Sequence, residues 1–252
     1  MSENITLTID NVEVSVSEGT SILDAAKEAG IEIPVICYTE HTTANGLCRL
    51  CMVDVEEGGM QASCVAQAQD GAVVHTDSEN VRRTRKTNLE MLASAVDLSE
   101  APEILEMMHE YECRADRFGD VPMVPGDRIE DNPVYIRDYS QCVMCWRCVQ
   151  VCAEDAQYSY ALNFKGRGFE TRITTFFEKA LTDTTCVFCG QCVDTCPTGA
   201  LKGKREALLD EGIAPEKIFE LTEVEGRDLR SMKGPHMDGI EETVEGGGNG
   251  SS

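Results

Sequence analysis

"CVMCWRCVQVC", residues 142–152, returns further along the chain as "CVFCGQCVDTCP", residues 186–197, and both runs space their cysteines C-x2-C-x2-C-x3-C. The chain holds 13 cysteines in 252 residues. A chain of this length buries a core without covalent staples, and an odd number of cysteines does not close as a disulfide framework. Four thiols crowded into each short run are far more than packing requires. Thiolates held as metal ligands are the chemistry that such spacing serves.

The formal charge of -23 arises from 45 acidic against 22 basic residues. The basic footprint of a nucleic-acid binder is missing, and a solvated acidic surface is the reading of the excess. The start "MSENITLTID" lacks a basic stretch followed by an apolar one, and no run approaches the roughly 18 apolar residues of a membrane span. The expectation is a cytoplasmic protein without a membrane span, in a compartment that keeps thiols reduced.

Outward from the two runs, the chain divides into four parts. Residues 1–77 open with "ITLTIDNVEVSV", whose alternation about Asp10-Asn11 predicts a hairpin. A helix capped by Thr20 or Ser21 follows, with Ile22, Leu23, Ala26 and Ala29 on its apolar face and Gly30 as its stop. A cysteine-bearing loop over 37–51 and further short strands complete this part. Residues 78–131 form a connector, with helical spacing at Val81, Leu89, Leu92 and Val96. The basic group Arg82, Arg83, Arg85 and Lys86 reads as a solvated helix face, with contact to an acidic partner as the alternative. The link "GDVPMVPGDRIEDNP" is expected to lack regular structure. Residues 132–201 carry the two runs, and 202–252 form an acidic, partly disordered tail containing one amphipathic helix candidate, "APEKIFELTEV".

A third cysteine set, Cys37, Cys48, Cys51 and Cys64, has the spacing C-x10-C-x2-C-x12-C. Spacing alone leaves zinc or iron open. The order hairpin, helix, loop with "CY", "GLCRLC" and a distant cysteine resembles the beta-grasp domain of plant-type 2Fe-2S ferredoxins. Closer still, it is similar to the N-terminal module shared by the complex I large iron-sulfur subunit, NAD-linked hydrogenases and NAD-linked formate dehydrogenases. The two later runs, the second closed by Pro197, resemble the bacterial two-cluster ferredoxin pattern. The implied fold class is α+β: a beta-grasp 2Fe-2S domain followed by a two-cluster 4Fe-4S ferredoxin domain.

The resemblance implies three centres. The 2Fe-2S cluster would take Cys37, Cys48, Cys51 and Cys64. In two-cluster ferredoxins the fourth cysteine of each run serves the other cluster. The first 4Fe-4S cluster would then take Cys142, Cys145, Cys148 and Cys196, and the second Cys186, Cys189, Cys192 and Cys152. Gly190 allows close backbone approach to sulfur; its counterpart Trp146 either shields a cluster from water or packs in the core. The family also carries a His-ligated site of pattern H-x3-C-x2-C-x5-C. Here His109 and Cys113 fill the first two places, but Asp116 and Pro122 fall on the others. "HEYECRADRFGD" (109–120) is therefore expected to be a degenerate remnant without a cluster, which leaves Cys113 as the thirteenth cysteine.

No G-x-G-x-x-G opening a β-α unit and no phosphate-cradling Walker loop occurs, so no flavin or nicotinamide site is expected on this chain. Neither is an acid, base or nucleophile constellation evident, and no catalytic residue is assigned. The resemblance implies an electron-transfer subunit, non-catalytic alone, relaying single electrons between a flavin/NADH-binding partner and a catalytic partner of molybdenum/tungsten formate dehydrogenase or hydrogenase type. The formate dehydrogenase branch is the slightly favoured one. Two alternatives stand beside it: the iron-sulfur subunit of a succinate dehydrogenase or fumarate reductase, and a zinc-bound structural or regulatory scaffold.

Overall fold

A computed structural model describes residues 4–124, 126 and 128–223. It is a mixed helix and sheet structure built around three hydrophobic cores. Strands β1 (Asn4–Ile9) and β2 (Val12–Ser17) pair antiparallel, with Ile9 opposite Val12. Asp10 and Asn11 turn between them with φ of 46° and 70°. Two consecutive positive φ values make the two-residue turn that matches strand twist, and Asp and Asn tolerate that conformation. Helix α1 (Ile22–Glu28) starts at Ser21, whose hydroxyl accepts the Asp24 amide at 3.0 Å, and is followed by Gly30 at φ 73°.

Strands β3 (Met52–Val55), β4 (Gly59–Ala62) and β5 (Val73–His75) complete a five-stranded sheet of order β2-β1-β5-β3-β4, in which β1 and β5 run parallel. Leu7, Ile9, Val53 and Val74 from its inner face pack with Ile22, Ala25 and Ala26 of α1. This core also holds Cys51 and Cys64.

Helix α2 (Glu79–Ala95) is capped by Ser78, whose hydroxyl accepts the Val81 amide at 3.3 Å. Helix α3 (Pro102–Glu110) begins with proline, which is preset for a first helical turn. Leu89 of α2 and Ile104 of α3 pack with Ile36, Leu50 and Tyr111 in a second core, against which Cys48, Val143 and Cys145 also lean. One core therefore joins the early cysteine loop, the connector helices and the start of the first cysteine run.

The link after α3 contains one short strand, β6 (Arg128–Ile129), paired with β7 (Tyr135–Asp138). The expectation of no regular structure there gives way because the edge of β7 offers unpaired backbone groups that the link can satisfy. Helix α4 (Arg147–Cys152) lies within the first run. Strands β8 (Leu162–Lys165) and β9 (Arg172–Thr175) form a hairpin, and α5 (Gln191–Asp194) lies within the second run. Strand β10 (Leu201–Gly203) pairs with β7. A third core of Tyr135, Tyr139, Leu162, Ile173 and Leu201 encloses Cys142 and Cys148.

The chain after residue 202 departs from the expected tail. Helices α6 (Lys204–Asp210) and α7 (Pro215–Thr222) follow directly, burying Ala207, Leu208 and Ile218. The amphipathic candidate is realised as α7: Ile218 and Thr222 are buried where α7 packs on α6, Arg205 donates to the Thr222 hydroxyl at 3.0 Å, and Phe219 and Leu221 stay exposed. Apolar spacing outweighs the acidic composition that marked the segment as solvated. The remainder of the expected tail lies outside the described residues.

Candidate metal centres

The first cysteine set gathers at the end of the five-stranded sheet. Cys37, Cys51 and Cys64 are buried and Cys48 is partly so. The Cys48 amide donates to Cys37 Sγ at 3.4 Å, and the sulfurs of Cys51 and Cys64 stand 3.3 Å apart. Hydrogen bonding to Cys37 lowers Cys48 and hydrogen bonding to Cys64 lowers Cys51, while the same contacts and burial push Cys37 and Cys64 upward.

Arg85 holds this set from beneath. Its guanidinium is 3% exposed and donates to the carbonyls of Leu50 and Met52, at 2.8 and 2.9 Å, and to the Tyr111 hydroxyl at 2.9 Å. Leu50 and Met52 flank Cys51. The expected solvated basic face therefore loses Arg85, because it continues the Val81-to-Leu89 stripe that α2 buries.

The two later runs repeat one backbone shape. Met144 and Phe188 have φ of 54° and 53°, and Trp146 and Gly190 have φ of 73° and 85°. Trp146 accepts the left-handed conformation that glycine takes at the second site, and packs its ring on Phe164 with centroids 4.8 Å apart. It remains 39% exposed, so it is a partial cover over the first run rather than a core side chain.

Each run opens on a cavity. One is lined by Cys142, Cys145, Cys148 and Cys196, with Pro197 and Tyr139 beside them. The other is lined by Cys152, Cys186, Cys189 and Cys192. The last cysteine of each run thus lines the cavity of the opposite run. Burial pushes Cys142 up to about 12, and the charges of Cys145 and Cys196 add to it. Burial likewise pushes Cys192 up to about 12, aided by Cys186, Cys152 and Cys189. Amides reach sulfur at the second of these sites: Ala161 donates to Cys152 at 3.2 Å and Phe188 to Cys186 at 3.4 Å. Among the described residues no three His, Cys, Asp or Glu side chains are gathered so as to hold a single metal ion.

A polar seam joins the first set to the first run. Gln150 of α4 donates to the Thr43 carbonyl at 2.6 Å and receives the Asn45 amide group at 3.0 Å. Arg147 donates to the Tyr38 carbonyl at 2.7 Å. All three loop partners lie between Cys37 and Cys48.

His109 and Cys113 line neither of the two cavities. His109 is exposed near the end of α3, and Cys113 packs on the second core with Sγ 3.8 Å from the Lys86 carbonyl. Asp116 pairs with Arg114 at 3.2 Å, and Pro122 is exposed. Sequence reasoning missed Arg85 and Arg147. Arg85 was findable from its place on an apolar i, i+4 stripe, and Arg147 from its neutral counterpart Gln191 in the second run.

Comparison with known proteins follows the same division. The family model described as "2Fe-2S iron-sulfur cluster binding domain" matches residues 2–79. The model described as "NADH-quinone oxidoreductase subunit 3, ferredoxin-like domain" matches residues 133–202. A chain in the crystal structure of an NAD+-reducing [NiFe]-hydrogenase is 30% identical, with a TM-score of 0.71, covering 79% of this chain and 87% of that one. The chain belongs to the iron-sulfur protein family of NAD-linked hydrogenases and NADH-quinone oxidoreductases. Within this family, the NADP-reducing hydrogenase subunit HndD of Solidesulfovibrio fructosivorans is 39% identical over 78% of this chain and 36% of its own. The mitochondrial NADH-ubiquinone oxidoreductase 78 kDa subunit of Candida albicans is 32% identical over 81% of this chain and 29% of its own. The chain thus spans about a third of the length of these two family members.

Proposed function

We propose that the chain is an electron-transfer subunit that relays single electrons between a flavin/NAD(H)-linked partner and a catalytic partner. The observation that carries this reading is the pair of four-thiol cavities, each completed by the last cysteine of the other run, beside a third four-thiol set across one polar seam.

The donor chemistry fits iron-sulfur clusters. Each site offers four thiols, and in the two later sites the last cysteine of each run joins the other three-cysteine group, as the two-cluster ferredoxin pattern requires. Cys37, Cys48, Cys51 and Cys64 would hold a 2Fe-2S cluster in a beta-grasp domain. Cys142, Cys145, Cys148 and Cys196 would hold one 4Fe-4S cluster, and Cys186, Cys189, Cys192 and Cys152 the other. When bound, each cluster accepts and releases one electron at a time, so a two-electron hydride donor requires a flavin on a partner to divide the pair. The chain's own residues orient the thiols, exclude water through the three cores, and donate amides to sulfur, which favours the more negative state.

The names of the relatives favour a hydrogenase or a quinone-reducing complex as the setting. A formate dehydrogenase setting rests on motif resemblance alone. His109 and Cys113 serve packing and surface roles in this reading, and the protein works in the cytoplasm.

Iron and acid-labile sulfide analysis with EPR of the dithionite-reduced, anaerobically purified chain tests the proposal. About ten irons with one 2Fe-2S and two 4Fe-4S signals is the expected result. Stoichiometric zinc in place of iron would overturn it, and about fourteen irons would return a cluster to the segment 109–122.

A further inference from the structure

The two cysteine runs match in backbone shape but not in charge. Arg147, between Cys145 and Cys148, stands where the second run has Gln191 between Cys189 and Cys192. Its guanidinium forks across two chain segments. Nη2 donates to the Tyr38 carbonyl at 2.7 Å and Nη1 to the Thr195 carbonyl at 3.4 Å. Tyr38 follows Cys37, and Thr195 precedes Cys196. The remaining Nε is buried with no hydrogen-bond partner. Among the described residues no carboxylate lies within ion-pair distance of Arg147, although the chain carries a net charge of -23.

Resting on the ligand sets proposed above, we propose that Arg147 is a positioning residue that ties the Cys37–Cys48 loop to the Cys142/Cys145/Cys148/Cys196 site. Its unneutralised charge also favours the reduced state of that site over the other. The fork requires a planar guanidinium, because a lysine ammonium is a single point that cannot serve two carbonyls in the same way. The selectivity comes from distance. A fixed cation beside one site in a partly buried setting acts strongly there and weakly on a site further away. Each one-electron reduction adds one negative charge, so the cation makes the first site easier to reduce. Gln191 supplies no such charge at the second, where the Arg137 that lines the cavity is neutralised by Asp131.

The test compares the iron-loaded full chain with R147Q, which makes the first run resemble the second, and with R147K. EPR-monitored redox titration reads each 4Fe-4S site, and hydrogen exchange reads the amides of residues 38–47. In R147Q the reduced-to-oxidised ratio of the first site at fixed solution potential should fall on the order of tenfold, about 59 mV for one electron. The second site should hardly move, and exchange over 38–47 should accelerate on the order of tenfold as the loop loses its tie. R147K should keep most of the potential but lose the exchange protection.

Equal shifts at both 4Fe-4S sites, or an R147Q protein unchanged in both readouts, would overturn the proposal. A wild-type chain without iron would sink the ligand sets and the electrostatic half together, while hydrogen exchange would still decide the tie. If R147Q does not accumulate folded, R147K carries the test: protection equal to wild type would refute the fork.

Discussion

The Asp155 carboxylate receives two hydrogen bonds from Thr43, one from the backbone amide at 2.7 Å and one from the hydroxyl at 2.8 Å. Thr43 sits in the loop between Cys37 and Cys48, and Asp155 stands just beyond Cys152. This pair closes the outer end of the seam whose inner end is Arg147. Being exposed, it works by geometry more than by energy. D155A should therefore cost only about 1 kcal/mol of local stability, read as faster hydrogen exchange at Thr43 and its neighbours. Cluster content should stay at the wild-type level. Loss of the 2Fe-2S signal in D155A would mean that the seam shapes the ligand loop itself.

The crossed cavities make a sharper prediction. C196A should extinguish the same 4Fe-4S resonance as C142A, and C152A the same one as C186A. In each case iron should fall from about ten to about six per chain. If C196A instead matched C186A, each run would supply its own four ligands and the cavity linings would have to rearrange on cluster binding.

Arg85 is the buried cation on which the Cys51 turn rests. In R85A three hydrogen bonds are lost, and the Leu50 and Met52 carbonyls are left buried without a donor. Breaking a buried charged contact of this kind costs about 3 kcal/mol or more. The 2Fe-2S spin quantitation should drop severalfold, with both 4Fe-4S signals retained. R85K should recover only part, since one ammonium replaces a three-way fork. Equal loss of all three signals would show a global folding defect instead.

What could be read from the sequence follows from the range of the forces involved. Three cysteines of each later run fall within seven residues, so their convergence is a local property of turn geometry that spacing displays. The Asp10-Asn11 turn and the Ser21 cap are local in the same way. The Thr43–Asp155 and Gln150–Thr43 contacts join residues more than 100 positions apart, and no local pattern marks either partner. Arg85 was misread because charge usually signals solvent, whereas here backbone carbonyls of β3 and its approach satisfy it. Helix α6 was hidden beneath an acidic composition, whereas the apolar spacing around Ile218 already marked α7.

Glu90 extends the argument to the connector and to pH. Its side chain is 1% exposed and accepts the Arg114 amide at 3.0 Å and the Arg117 guanidinium. Burial works to raise this carboxyl, but the Arg117 contact and the Arg114 amide outweigh it, so the net shift is below the ordinary value of 4.5. A carboxyl depressed in the folded state stabilises it fully above the unfolded pKa, and the contribution is lost as pH falls through the lower folded pKa. The stretch from Arg114 to Arg117, which Glu90 and Thr87 of α2 hold by hydrogen bonds, should therefore loosen below about pH 4.5 before the rest of the connector. In E90Q the ion pair is gone at every pH. Local stability at pH 7 should drop by about 1–3 kcal/mol, and the acid-dependent loosening should flatten. Hydrogen-exchange protection factors at Arg114 and its neighbours, compared at pH 7 and pH 4, decide the matter. Protection in E90Q equal to wild type at pH 7 would show that the connector is held by the second core alone.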